Sequence, residues 1–92
     1  MALLDDVKRE LRISSTAFDA EVLDLIESAK MDLMQSGVVE EKIIETDSLI
    51  KRAIIFYCKA YFGYDNPDAQ RFYDSYRMLE THLALSGDYN EA

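Results

Sequence analysis

The sequence predicts an all-α protein, a small helical bundle of three longer helices preceded by a short N-terminal helix. Apolar residues recur at helical spacing in four segments, and residues that favour helices, such as Leu, Ala, Glu and Lys, are abundant. Three glycines and one proline are too few for a β fold with many turns. With 92 residues and 49% hydrophobic content, residues 1–92 are predicted to form a single domain with a small core.

The first predicted helix is short and spans residues 3–11. Leu4, Val7 and Leu11 share one face, and Leu3 lies beside them. A helix of two or three turns is marginal in isolation, so it must dock on another element.

The second predicted helix spans about residues 17–36. Thr16 followed by Asp19 matches a capping box, and Gly37 supplies a stop signal. Its apolar residues form one narrow stripe: Phe18, Val22, Leu25, Ile26, Ala29 and Leu33.

The opposite side of this helix carries two kinds of residue. Four carboxylates form a predicted acidic face: Glu21, Asp24, Glu27 and Asp32. Such a face is usually only solvated, and the alternative is an acidic lining for a passage. Leu23, Met31 and Met34 also lie outside the core stripe, so this flank is a candidate contact surface. Residues 38–46, which follow, could be a short strand, a helical turn or a loop.

The most apolar stretch is residues 48–63, which we expect to form the central helix, capped by Asp47 and ended by Gly63. The polar residues of this helix fall on one arc together with Ile55 and Phe62. If exposed, these two apolar residues would mark a partner surface.

The last predicted helix spans residues 67–85, because Asn66 before Pro67 is a strong start signal. Its core stripe consists of Ala69, Phe72, Tyr76, Leu79 and Leu83. Met78 and Leu85 lie among the polar residues as a third candidate contact. Residues from about 87 to 92 are predicted to be a flexible tail.

Charge and composition argue against several functions. A net charge of -8 disfavours tight binding to DNA or anionic lipid, although it does not exclude a protein that DNA slides past. No segment reaches the ~20 apolar residues of a membrane span. The single cysteine, Cys58, is predicted to be a buried thiol, and His82 a surface histidine. We therefore predict no catalytic residues, no metal site and no cofactor.

Several segments in their order carry a resemblance: LLDDVKRELRI, then FDAEVLDLIESAK, then DSLIKRAIIFYCKAYFGYDNPDAQRFYDSYRMLETHLALSGDYN. Together they resemble the head-tail connector proteins of tailed phages and prophages, also described as phage DNA-packaging proteins. The resemblance covers nearly the whole chain and lies in the order of segments rather than in one motif.

The resemblance implies a structural protein without enzymatic activity. It implies a homo-oligomeric ring, expected to be a dodecamer, beneath the portal protein at the capsid vertex. The ring joins the portal to tail-side connector proteins and retains or passes double-stranded DNA without sequence-specific binding. The expected location is the virion, with assembly in the cytoplasm of the bacterial host and no contact with a membrane.

Helix geometry then supplies candidate contacts with a neighbouring subunit or the portal: Leu23, Met34, Lys51, Arg52, Ile55, Lys59, Phe62, Met78 and Leu85. The predicted acidic face would line the lumen. Two alternatives stay open, a small helical binding or regulatory module of a phage without ring assembly, and a helix-turn-helix protein that binds DNA.

Overall fold

A computed structural model describes residues 2–63 and 66–91 and confirms the all-α class. The described residues contain no strand. They form five helices: α1 (Ala2–Leu11), α2 (Asp19–Ser36), α3 (Ser48–Tyr61), α4 (Ala69–Leu85) and the one-turn α5 (Gly87–Asn90). Two 3-10 turns, Thr16–Phe18 and Glu40–Lys42, lie in the connections.

Helix α3 is the centre of the bundle and packs against α1, α2 and α4. As predicted, Asp47 caps it, accepting hydrogen bonds from the backbone N–H groups of Leu49 at 2.9 Å and Ile50 at 3.2 Å. Four of its side chains are fully buried in the shared core: Ile50, Ala53, Ile54 and Cys58. The predicted central role of this segment is confirmed.

The start of α2 differs from the prediction. Ser15, and not Thr16, caps the preceding 3-10 turn, because its hydroxyl accepts from the Ala17 N–H at 3.0 Å. Asp19 forms an ion pair with Lys8 of α1 at 2.7 Å instead of closing a capping box. The end of α2 is as predicted, since Gly37 has a φ of 123°, which favours glycine.

Residues 38–46 contain a 3-10 turn rather than a strand. Val38 is buried in the core, and Lys30 of α2 holds Glu45 at 3.0 Å. Burial lowers the pKa of Lys30. The hydrogen bond to Glu45, together with the negative charges of Glu45 and Glu27, outweighs burial, so the Lys30 pKa is raised. The segment is therefore a structured connection held on both sides.

Helix α4 begins at Ala69, two residues after the predicted start. The Asn66 side chain accepts from the Asp68 N–H at 3.0 Å and donates to the Lys59 carbonyl at 2.8 Å. Asn66 therefore forms a turn and ties the start of α4 to the end of α3. The neighbouring residues 64 and 65 lie outside the described residues.

The predicted flexible tail is helical in the structure. Residues Gly87–Asn90 form α5, and the Tyr89 hydroxyl lies 2.9 Å and 3.1 Å from the two carboxylate oxygens of Asp47. The Val39 N–H donates to the Tyr89 carbonyl at 3.0 Å. Tyr89 fastens this turn to the cap of α3, a long-range contact that local sequence signals do not reveal.

Candidate interaction surfaces

The outer arc of α3 is more covered than predicted. Ile55 and Phe62, which the sequence places on the polar arc of α3, are half-buried and pack against the core. Phe62 also meets Phe18 edge-on, with ring centroids 5.7 Å apart. Phe18 itself, predicted to lie in the core stripe of α2, is exposed at the bundle edge. The role of Ile55 and Phe62 as subunit contacts remains a prediction.

Two of the three basic residues on this arc have partners within the chain. Lys51 pairs with Asp6 of α1 at 2.9 Å, and this hydrogen bond holds the pKa of Asp6 below its ordinary value. Lys59 lies 3.4 Å from Glu10 and 4.9 Å from the centre of the Phe72 ring. These ion pairs link α1 to α3 beside a recess of about 340 Å³ whose lining includes both lysines.

Arg52 is different, because it is exposed and has no ion-pair partner among the described residues. It lies at a groove of about 500 Å³ between α3 and α4. We call this the α3–α4 groove and define it by its lining residues: Arg52, Phe56, Ser75, Met78, Leu79 and His82. Met78 is 76% exposed, and Leu85, further along α4, is 79% exposed.

A second apolar surface lies on the outer side of α2. Leu23 is 41% exposed and Met31 is 53% exposed, while Met34 is half-buried. A recess of about 280 Å³ lies between the two methionines and the connection after α2. Its lining consists of Glu27, Lys30, Met31, Met34, Glu40 and Ile43. We call Leu23 and these lining residues the methionine face.

The predicted acidic face holds in three positions and fails in one. Glu21, Asp24 and Glu27 are exposed on α2, and Glu27 lies 3.4 Å from Lys30. Asp32 is half-buried and accepts a hydrogen bond from the Tyr76 hydroxyl of α4 at 2.7 Å. Asp32 therefore links α2 to α4 and does not belong to an open acidic face.

Tyr76 also lies 3.1 Å from Glu80, a carboxylate that is only 2% exposed. Ser36 contacts the same oxygen at 3.2 Å, and Arg77 reaches the other oxygen at 2.9 Å. We call Asp32, Ser36, Tyr76 and Glu80 the polar cluster. Sequence reasoning missed it, although Glu80 follows Tyr76 by four residues and so falls on the apolar side of α4.

Proton sharing in the polar cluster follows from its geometry. Tyr76 has one hydroxyl proton and can donate it to only one of two carboxylates, and Asp32 is the closer. Burial raises the pKa of Glu80, as does its hydrogen bond to the neighbouring Asp32 charge. The same hydrogen bond lowers the pKa of Asp32. The cluster thus makes Glu80 harder to ionise, and Asp32 easier to ionise, than the same groups in water.

Reactive groups are not assembled into a site in the described part of the chain. Cys58 is buried, and burial raises the pKa of its thiol to about 12, so almost no thiolate forms at neutral pH. His82 is exposed at the α3–α4 groove. Among residues 2–63 and 66–91, no group of three or more His, Cys, Asp or Glu side chains is placed to hold a metal ion. None of the described helices is long and apolar enough to span a membrane.

The described residues form a small α-helical bundle that exposes apolar side chains on two outer surfaces, and such surfaces are typical of proteins that bind other proteins. A family model described as "Phage connector protein" matches residues 3–90. The chain therefore belongs to the phage connector protein family, which is a structural family. A search of curated proteins and a search of solved structures each gave no significant match.

Proposed function

We propose that this protein is a structural head-tail connector that assembles as a ring beneath the portal of a tailed phage or prophage. The family match over residues 3–90 is the observation that carries the proposal. The ring would join the portal to tail-side connector proteins and would retain or pass the packaged DNA. Its place would be the virion, after assembly in the host cytoplasm.

The distribution of exposed apolar residues supports assembly. A ring uses heterologous contacts, so each subunit needs two different contact surfaces. The methionine face and the α3–α4 groove lie on different helices and expose Met31 and Met78, respectively. Both surfaces include residues predicted from the sequence to be contacts: Leu23, Met34, Arg52 and Met78.

The remaining predicted contacts divide by their surroundings. Leu85 is exposed near the end of α4, where it extends the apolar surface beyond the groove. Lys51, Ile55, Lys59 and Phe62 support the attachment of α1 and the fold around α3. If they also meet the portal, only their remaining exposed parts would do so.

Glu21 and Asp24 remain the candidates for an acidic lumen, because Glu27 lines the methionine face. Exposed carboxylates repel DNA phosphates, which suits a passage through which DNA must slide. Replacing both by Lys would be expected to create salt-sensitive binding of double-stranded DNA, measured by fluorescence anisotropy. A double Gln variant is the matched control, since it removes the same charges without adding a basic footprint.

Co-expression with the portal protein tests the proposed function. Purified complexes would be examined by size-exclusion chromatography with light scattering and by negative-stain electron microscopy. The expected result is a ring-shaped oligomer, formed by the protein alone or added to the portal. A protein that stays monomeric alone and also fails to bind the portal would contradict the proposal and favour a small binding or regulatory module.

A further inference from the structure

We propose that neighbouring copies of this chain contact each other head to tail, with the methionine face of one copy seated against the α3–α4 groove of the next. This inference rests on the proposed ring and assigns the two surfaces that form its repeated contact. The occupant of each surface is therefore a second copy of the chain.

The apolar parts of the two surfaces suit each other. The methionine face presents Leu23 and Met31, and the groove presents Met78 beside Phe56 and Leu79. Methionine side chains are flexible and polarisable, so they adapt to a partner surface with little strain. Burial of exposed apolar surface on both sides is the main driving force of such a contact.

The charges around the two surfaces are complementary. The groove carries Arg52 and His82 and has no acidic residue in its lining. The methionine face carries Glu27 and Glu40 against one cation, Lys30, which pairs with Glu27 at 3.4 Å and with Glu45 at 3.0 Å, so Glu40 has no ion-pair partner among the described residues. An acidic rim thus meets a rim with a free guanidinium, which favours the correct pairing over contact between two like surfaces.

The two surfaces point away from the shared core in different directions, as a head-to-tail contact requires. Met31 lies two residues from the buried Ala29 on α2, which is about 200° around a helix. Arg52 lies two residues from the buried Ile54 on α3, again about 200° around the helix. Each surface therefore points away from the buried side of its own helix, which leaves both free to contact separate neighbours.

A mixing experiment tests both the surfaces and their polarity. Met31→Asp places a charge on the methionine face, and Met78→Asp places one in the groove. Each variant retains one intact surface, so each alone should self-associate at least about tenfold more weakly than the wild type. A mixture should form heterodimers of one copy each, because the intact groove of one variant binds the intact methionine face of the other.

Sedimentation velocity up to about 1 mM protein would measure these species, with circular dichroism to confirm that both variants fold. Ser14→Asp, on an exposed position between α1 and α2 and outside both surfaces, is the control and should assemble as the wild type does. Heterodimers that form in the mixture, without comparable association of either variant by itself, support the inference.

Three outcomes overturn it. Rings from both variants would show that these surfaces are not the contact, while the proposed function stands. Dimers of Met31→Asp alone would indicate a groove-to-groove contact, and variants that stay monomeric when mixed would contradict the head-to-tail pairing. A wild-type chain that neither self-associates nor joins the portal would remove the proposed function as well.

Discussion

Helices α1 and α4 both pack against α3, but they are attached in different ways. Helix α1 buries Leu3 and Val7 completely, and the ion pairs of Asp6 and Glu10 with lysines of α3 link it to that helix. Helix α4 also buries apolar side chains, yet it is joined to α2 by the polar cluster, and its outer edge leaves Met78 open to solvent.

This difference extends to the basic residues of α3, which have ion-pair partners within the described part of the chain on one side of the helix and not on the other. On the α1 side, Lys51 and Lys59 have acidic neighbours within the chain, beside a recess of about 340 Å³ whose lining includes Ile55. On the α4 side, Arg52 has no ion-pair partner among the described residues, and the most exposed large apolar side chains lie nearby or further along α4. Four substitutions break or sharpen the comparison, from the largest expected effect on stability to the smallest.

Val7→Asp should detach α1 and cause the largest loss of stability. Val7 is fully buried, so the substitution places an unpaired carboxylate in the core at a cost of at least about 3 kcal/mol. Urea unfolding followed by circular dichroism would measure it. A loss below about 1 kcal/mol would mean that α1 is not firmly docked.

Phe62→Ala should lower the free energy of unfolding by about 2 kcal/mol, because the half-buried ring packs on the core and on Phe18. A double-mutant cycle with Phe18→Ala should give a coupling of about 1 kcal/mol, as expected for an edge-on aromatic pair. A coupling near zero would show that the two rings do not support each other, and that burial alone places Phe62.

Glu80→Gln should change how stability depends on pH. A pKa that is raised in the folded state makes the fold bind this proton more tightly than the unfolded chain does. Stability should therefore fall as pH rises from the ordinary value of 4.5 through the folded pKa of Glu80. The amide does not titrate, so the variant should lose this decline in urea unfolding measured across that pH range.

Glu41→Gln, at an exposed position, is the matched control and should retain the decline. Asp32 contributes in the opposite sense, because its lowered pKa stabilises the fold above the ordinary value of 3.8 and this contribution is lost as pH falls. The decline above pH 4.5 therefore reports on Glu80. An unchanged decline in Glu80→Gln would exclude a protonated Glu80 as its source.

Met78→Asp should have the smallest effect on stability, within about 0.5 kcal/mol, because the side chain is 76% exposed. It introduces the same carboxylate as Val7→Asp, so the two variants compare an exposed position with a buried one. Thermal unfolding of both proteins measures the difference in stability. A large loss in Met78→Asp would show that this edge of α4 supports the fold itself.

The sequence predicted the features that depend on neighbouring residues. Asp47 caps α3 and Gly37 ends α2 as predicted, because each acts on backbone groups a few residues away, whereas Asn66 forms a turn before α4 instead of capping it. The four main helices and the buried stripe of α2 from Val22 to Leu33 follow from periodicity and were also predicted.

Features that depend on distant residues were missed. Helical spacing placed Asp32 on the outer side of α2, but its partner Tyr76 lies 44 positions further along the chain. The same spacing placed Ile55 and Phe62 on the polar arc of α3, and a pattern within one helix does not tell which neighbours cover that arc. The hydrogen bond between Tyr89 and Asp47 was also missed, because the two residues lie 42 positions apart. The two surfaces were only partly predicted, because each combines residues from separate segments.

The burial of Cys58 gives the protein an internal reporter of motion. Its thiol ionises only at about pH 12 within the fold and lies out of reach of reagents, so modification requires the bundle to open. The rate of labelling by a maleimide would then follow the opening of individual subunits, without any added probe. Comparing that rate between free chains and assembled particles would show how strongly neighbours restrain one another.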